Sequence, residues 1–306
     1  MSARSVFTGI ATVAAAAVAY GVLIERNMFG VRTEACDVLP AAGNPITVLH
    51  ISDLHLAPWQ RHKIEWVRSL ANTGPDLIIV TGDSLGHRDA LPALRQALAP
   101  FAGIPGVYVH GSNDYFGPHI PNPATYLWRP SELDESREQL DTAGLEALYH
   151  ELGWVGLNNA ATRLNVGGNR LLLVGTDDPH IGRDRLDLAT AAVEEQLEAG
   201  EPVDTVIGVT HAPYTRVLNT LTTLGADVIF AGHTHGGQLC VPGVGALTTN
   251  SDLPVSLARG LAVWNHESRS SYLNVSAGLG TSIYAPMRFA CPPEAILLSL
   301  GTDDIG

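Results

Sequence analysis

Cysteine is scarce in this chain of 306 residues, with three in all. Cys36, Cys240 and Cys291 are widely spaced, with no paired zinc-type motif among them. An odd count excludes complete intrachain pairing, so disulfides are not the framework here. Buried free thiols are the simpler reading, with one Cys240–Cys291 bridge as the alternative. Basic residues are also in short supply: 18 Lys and Arg stand against 31 Asp and Glu, a formal charge of -13. Non-specific grip on nucleic acid relies on Lys and Arg neutralising phosphates, so no nucleic-acid binding is expected. The deficit leaves phosphate-bearing substrates open, because bound cations reverse the sign of a site locally. Repeats and low-complexity tracts are absent. At 45% hydrophobic and 16% charged, the composition is globular, enough for one large domain or two ordinary ones.

Charge is missing altogether from Val6 to Ile24, 19 residues rich in Ala and Val. Crossing a bilayer takes roughly 20 residues. Residues 1–24 are therefore expected to form a single-pass anchor in the cell membrane, with the rest outside the cytoplasm. A signal peptide cleaved near Ala17-Val18-Ala19, giving a secreted protein, is the alternative. Residues 25–44 read as a linker, and 45–306 as the folded domain.

Inside that domain, short apolar runs at 46–52, 77–80 and 107–110 suit buried strands. Helical patterns at 61–71 and 89–99 separate them, and such alternation implies a parallel sheet. Residues 115–134, rich in proline and carrying Tyr126 and Trp128, read as an extended loop beside the third strand. An amphipathic helix follows at 135–152. The runs 161–166 and 170–175 around Gly167-Gly168-Asn169 predict a β-hairpin. Strand and helix alternate again over 189–231, with short strands near 238–241, 261–265, 271–276 and 294–300.

The residues that follow these strands carry the chemistry. Asp53 and His55 come after the first and Asp83 after the second. Gly111-Ser112-Asn113-Asp114 comes after the third and His211 after a later strand. His233 and His235 lie in the glycine-rich turn Gly232 to Gly237. Residues two apart on extended chain face one side, so a carboxylate and an imidazole can grip one ion. Open α/β sheets place their sites at the carboxyl ends of strands. Singly, each residue has a bland reading, as a helix cap or a satisfied core histidine. Six in step point to a metal centre. Asp177 and Asp178 also end a strand-like run, where a turn or cap role is the simpler reading and lining the pocket the alternative.

In order and spacing these blocks resemble the calcineurin-like metallophosphoesterases over about residues 46 to 300, nearest the bacterial membrane-associated branch. That family's blocks run Asp-x-His, Gly-Asp, Gly-Asn-His, a single His and Gly-His-x-His. The resemblance implies an α/β four-layer αββα sandwich, two mixed β-sheets flanked by helices, with a dinuclear centre at its edge. It implies two divalent metal ions, and mixed N/O ligands suit Mn, Fe or Zn. Asp53, His55 and His235 would hold one ion, His211 and His233 the other, and Asp83 both. The third block departs, because Ser112-Asn113 stands where the family has Asn-His. Shifted by one, Asn113 keeps the ligand role through its amide oxygen, and Asp114 stands where a leaving-group acid was. Unshifted, Ser112 replaces the ligand and Asn113 the acid. Asp114, His87 and His110 are the candidates for the missing acid.

The function so implied is a metal-dependent phosphoesterase. It would hydrolyse a phosphodiester or related phosphate ester, lipid-linked or nucleotide-type, by attack of hydroxide held at the dimetal centre. Without the usual acid, substrates with good leaving groups are favoured. The alternative is a catalytically weak metal-binding scaffold or sensor with the same fold.

Overall fold

Strands buried on both faces read as continuous apolar runs, and three of them start the molecule's first sheet. In the computed structural model, which describes residues 3–119 and 136–302, Ile46–Ile51 (β2), Leu77–Val80 (β3) and Gly106–Tyr108 (β4) lie parallel. Trp154–Gly156 (β5) extends them. On the other side Glu294–Thr302 (β14) runs antiparallel to β2, and Gly30–Leu39 (β1) runs parallel to β14. The order is β1-β14-β2-β3-β4-β5.

The second sheet grows from the expected hairpin. Ala160–Val166 (β6) pairs antiparallel with Asn169–Gly175 (β7) around Gly167 and Gly168, both in the left-handed region that a two-residue turn requires. Thr205–Thr210 (β8) and Val228–Ala231 (β9) follow in parallel. A short ribbon of Cys240–Val241 (β10) and Gly245–Ala246 (β11) interrupts the sequence. Gly260–His266 (β12) and Arg269–Val275 (β13) then close the order β12-β13-β9-β8-β7-β6.

The two sheets face each other across an apolar layer. Val48, Ile79 and Val107 of the first meet Leu173, Ile207 and Phe230 of the second, all fully buried. Burying such a side chain contributes about 1.5–3 kcal/mol. Outside the first sheet lie helices Arg61–Ser69, Leu91–Leu98 and Thr142–Glu151, which bury Ile64, Val67, Leu94 and Leu145. Outside the second lie Leu186–Glu198 and Thr215–Thr223, which bury Val193, Val217 and Leu221. The result is the four-layer αββα arrangement.

Two expectations need correction. Among the described residues no helix is long and apolar enough to cross a membrane, so the single-pass anchor is not supported. Residues Ala3–Leu23 do form a helix, but its end is spent on the protein itself. Tyr20 meets Phe289 edge-on at 6.4 Å, and the Gly21 carbonyl accepts from the Arg288 N–H. The membrane and secreted placements rested on that segment, and neither is carried forward. The stretch read as a linker, 25–44, contains β1, which pairs with β14 along nearly its whole length. Its sequence is half polar because half of its residues are exposed, and that hides a strand from a search for apolar runs. Residues 120–135, which include Tyr126, Trp128 and most of the proline-rich loop, lie outside the described residues.

Candidate metal centre

Every strand that was expected to deliver a ligand ends at the same rim. β2 leads to Asp53 and His55, β3 to Asp83, and β4 to the short helix Ser112–Tyr115. From the second sheet β8 leads to His211, and β9 to His233 and His235. Backbone bonds tie these loops together: Asp53 N to Gly82 O at 3.0 Å, His55 N to Asp83 O at 2.9 Å, Gly232 N to His211 O at 2.8 Å.

The backbone at the rim is strained. Asp53, His55, Asp83, His233 and His235 all have left-handed φ, between 38° and 67°. Non-glycine residues held there cost on the order of 1–3 kcal/mol each and persist only where the surroundings over-determine them, as functional sites do. Space also excludes side chains at several glycines of the rim, among them Gly232, beside Ser52 and Asp53, and Gly111. A Cβ at Gly111 would press on the Asp83 carboxylate and sit 2.6 Å from a His211 ring carbon.

The side chains converge. His55 Nε2 lies 3.4 Å from Asp83 Oδ2 and 3.2 Å from His235 Nε2. His211 Nε2 is 3.6 Å from Asp83 Oδ1, and His235 Nε2 is 3.6 Å from Asp53 Oδ1. Two groups result, Asp53/His55/His235 and Asp53/Asp83/His211, each with ligand atoms within 4.8 Å of one another. His233 stands beside these groups: its ring is 5.1 Å from that of His211, while its Nε2 faces the Asn250 carbonyl at 3.1 Å. Asn113 sets its side-chain N–H on Asp83 Oδ2 at 2.7 Å, and its amide oxygen accepts from Arg137 at 2.9 Å.

The far nitrogens of two ligand candidates face carbonyls, that of His235 with the Arg288 guanidinium also at 3.3 Å. His211 Nδ1 meets Thr81 O at 2.7 Å, and His235 Nδ1 meets Gly280 O at 3.2 Å. A proton held there leaves Nε2 as a lone pair toward the centre. Among the described residues His211 Nε2 and Asp53 Oδ1 are buried without any hydrogen-bond partner. Such orphans cost about 1–3 kcal/mol apiece, and cations between them would satisfy both. The nitrogen and oxygen donor set suits divalent transition metals.

Electrostatics divide the groups. Burial pushes the Asp53 carboxyl up to about 6. Burial also acts upward on Asp83, but His211, His55 and the Asn113 donors outweigh it and hold Asp83 below the usual carboxylate range. For His211 burial acts downward, yet Asp83, Asp178 and Asp53 lift it to about 9. Burial pushes His55 down to about 4 and takes His233 and His235 well below their ordinary value.

The candidates for a proton donor are otherwise employed. Asp114 is buried and accepts from three backbone N–H groups, those of Ser84, Leu85 and Gly111, so it staples the third loop to the second. His110 is buried with Nε2 on Glu146 at 3.1 Å. His87 accepts from Asp89 N at 3.1 Å and meets the edge of Trp59, and no described contact joins it to the ligand groups.

Further residues join the site. Asp178 caps a turn through Oδ1, but Oδ2 is buried without a partner beside His211, and burial pushes its carboxyl up to about 7. His180 lies 4.3 Å, ring to ring, from His233. A one-way chain of donors also ends on a ligand. Asn274 Nδ2 meets His50 Nδ1 at 3.1 Å, His50 Nε2 meets Thr81 Oγ1 at 2.8 Å, Thr81 donates to Ser52 at 2.7 Å, and Ser52 to Asp53 Oδ2.

A family model described as calcineurin-like phosphoesterase matches residues 46–237. An uncharacterized metallophosphoesterase of Aquifex aeolicus (strain VF5) is 28% identical over 265 residues, 84% of this chain and 86% of that one. The uncharacterized protein YpbG of Bacillus subtilis (strain 168) is 27% identical over 299 residues, 95% of each chain. Phosphodiesterase YaeI of Escherichia coli (strain K12) is 26% identical over 263 residues, 84% of this chain and 82% of that one.

Proposed function

The chain belongs to the calcineurin-like phosphoesterase family, and from that premise we propose that it hydrolyses phosphodiesters or related phosphate esters with two divalent metal ions. The observation that carries this reading is the pair of buried orphan atoms, Asp53 Oδ1 and His211 Nε2, on either side of Asp83. Asp53, His55 and His235 would hold one ion, Asn113, His211 and His233 the other, and Asp83 both. Bound there, divalent cations draw charge from phosphoryl oxygens and acidify water for attack on phosphorus.

The protein's own groups do the rest. The Thr81 carbonyl would hold His211 in the ligating tautomer, while His235 Nδ1 lies between the Gly280 carbonyl and the Arg288 guanidinium. Arg137, on the Asn113 amide, supplies a planar donor suited to a phosphoryl oxygen. Asp114, His110 and His87 are all engaged elsewhere, which supports substrates whose leaving group departs without a strong acid. A relative named as a phosphodiesterase agrees with that choice.

The test is steady-state turnover of the full chain with added Mn²⁺ on an aryl phosphodiester and on an alkyl phosphomonoester. The diester should be the better substrate, and Asp83→Ala should abolish its turnover. If metal binds in two equivalents but neither ester is cleaved, the protein is a scaffold with the same centre.

A further inference from the structure

Basic residues are few in this chain, yet three of them and a histidine meet in one place outside the ligand groups. The short 3₁₀ turn Glu25–Asn27, the start of helix Arg61–Ser69 and the segment around Gly280 enclose a cavity of about 330 Å³. Arg26, Arg61, His62 and Lys63 line it, and no Asp or Glu does. The neighbouring Glu25 is already committed, because its carboxylate accepts from the backbone N–H groups of Ala290 and Cys291.

The positive charge is left without an answer. Lys63 is only 6% exposed, and its ammonium donates at 2.8 Å to the Leu54 carbonyl. A carbonyl does not neutralise an ammonium, and buried charges are ordinarily paired. Burial, reinforced by Arg288 and Arg26, pushes Lys63 down to about 7. Arg26 Nε is buried with no hydrogen-bond partner. The helix that begins at Arg61 has no side-chain cap at Gln60, and its amino end adds a partial positive charge.

We infer that this cavity binds the phosphate group of a small organic phosphate, independently of the metal centre. Two guanidinium groups, an ammonium and a helix amino end match a phosphate dianion better than a single carboxylate. The cavity exceeds what a bare ion needs and reaches the lower range of small-molecule pockets, about 300–1,000 Å³. Trp59, Ile283 and Pro286 on its wall provide an apolar face for the rest of the ligand. The cavity borders the ligand loops at two points: the Lys63 ammonium bonds the Leu54 carbonyl between Asp53 and His55, and Gly280 on its wall turns its carbonyl to His235 Nδ1 at 3.2 Å.

Calorimetry on the full chain, stripped of metal by chelation, tests this without calling on the metal centre. Phenylphosphonate and inorganic phosphate are titrated separately. One equivalent should bind, and Arg26→Gln/Arg61→Gln should weaken it at least tenfold with the circular dichroism spectrum unchanged. Tighter binding of phenylphosphonate assigns the phosphate to an organic body, and tighter binding of inorganic phosphate assigns a free ion. Failure of both anions to bind, or equal binding by the double variant, overturns the inference. Should the double variant unfold, Arg61→Gln alone, at an exposed side chain, carries the same comparison. Turnover plays no part, so the result stands apart from the proposed hydrolysis.

Discussion

Asn113 gives Asp83 two hydrogen bonds, one from its backbone N–H to Oδ1 and one from its side chain to Oδ2, each 2.7 Å long. The residue after the unusual Ser112 thus rests on the carboxylate proposed to serve both ions, while the Ser112 hydroxyl is 3.5 Å from the Asn113 amide nitrogen. If Asn113 is the ligand of this altered block, Asn113→Ala should weaken one of two metal equivalents by roughly 10–100-fold. Ser112→Ala should leave both equivalents bound. Metal titration with competing chelator reads the difference, and the reverse ranking would favour the ungapped alignment.

Thr81 is the middle link in the donor chain from Asn274 to Asp53. Thr81→Val keeps the shape and removes the hydroxyl that receives from His50 and gives to Ser52. The orphaned buried groups should cost about 1–3 kcal/mol, seen as a lower denaturant midpoint. Metal affinity should fall as well, because Ser52 then loses the bond that orients it toward Asp53. Unchanged affinity would reduce the chain to a core feature.

Lys63 sets a pH dependence with a definite sign. Its folded value, about 7, lies below its ordinary 10.5, so between these limits the unfolded chain binds the extra proton. Stability from this group is therefore lowest below pH 7 and rises as pH climbs toward 10.5. Arg26, Arg61, His62 and Arg288 surround it, and none is an acid that would reverse the sign. Lys63→Met should remove that slope, so the stability gap between the variant and the parent narrows from pH 7 to pH 10. Parallel curves in urea unfolding would refute the account.

Phe230 fills the layer between the sheets and also meets His50 edge-on at 5.3 Å. Phe230→Ala should cost about 3–5 kcal/mol through lost burial and the cavity left behind. Val244→Ala, on an exposed turn, should stay within about 0.5 kcal/mol. Chemical denaturation of both variants gives the comparison.

The ligand candidates were legible because each follows an apolar run by one to four residues, so local pattern alone lines them up. The groups that hold them were not. His50 is one polar residue in an apolar strand, and its partners Thr81 and Asn274 are 31 and 224 positions away. Asp178 read as a cap, which its Oδ1 is, but nothing local shows Oδ2 buried toward His211. Arg137 and Asn250 carry no motif at all. The hairpin at Gly167-Gly168 and the runs 77–80 and 227–231 were legible as strands, whereas β1 was hidden by the polar residues it exposes to solvent.

That edge strand decides how the molecule can be trimmed. A version begun at residue 45, the natural cut if residues 25–44 were a tether, would strip Gly30–Leu39 from the flank of Glu294–Thr302. The exposed ladder would then offer its free N–H and carbonyl groups to the next copy in solution. Recombinant work on this protein should begin no later than Glu25, which also keeps its bonds to Ala290 and Cys291, or it will study clumps.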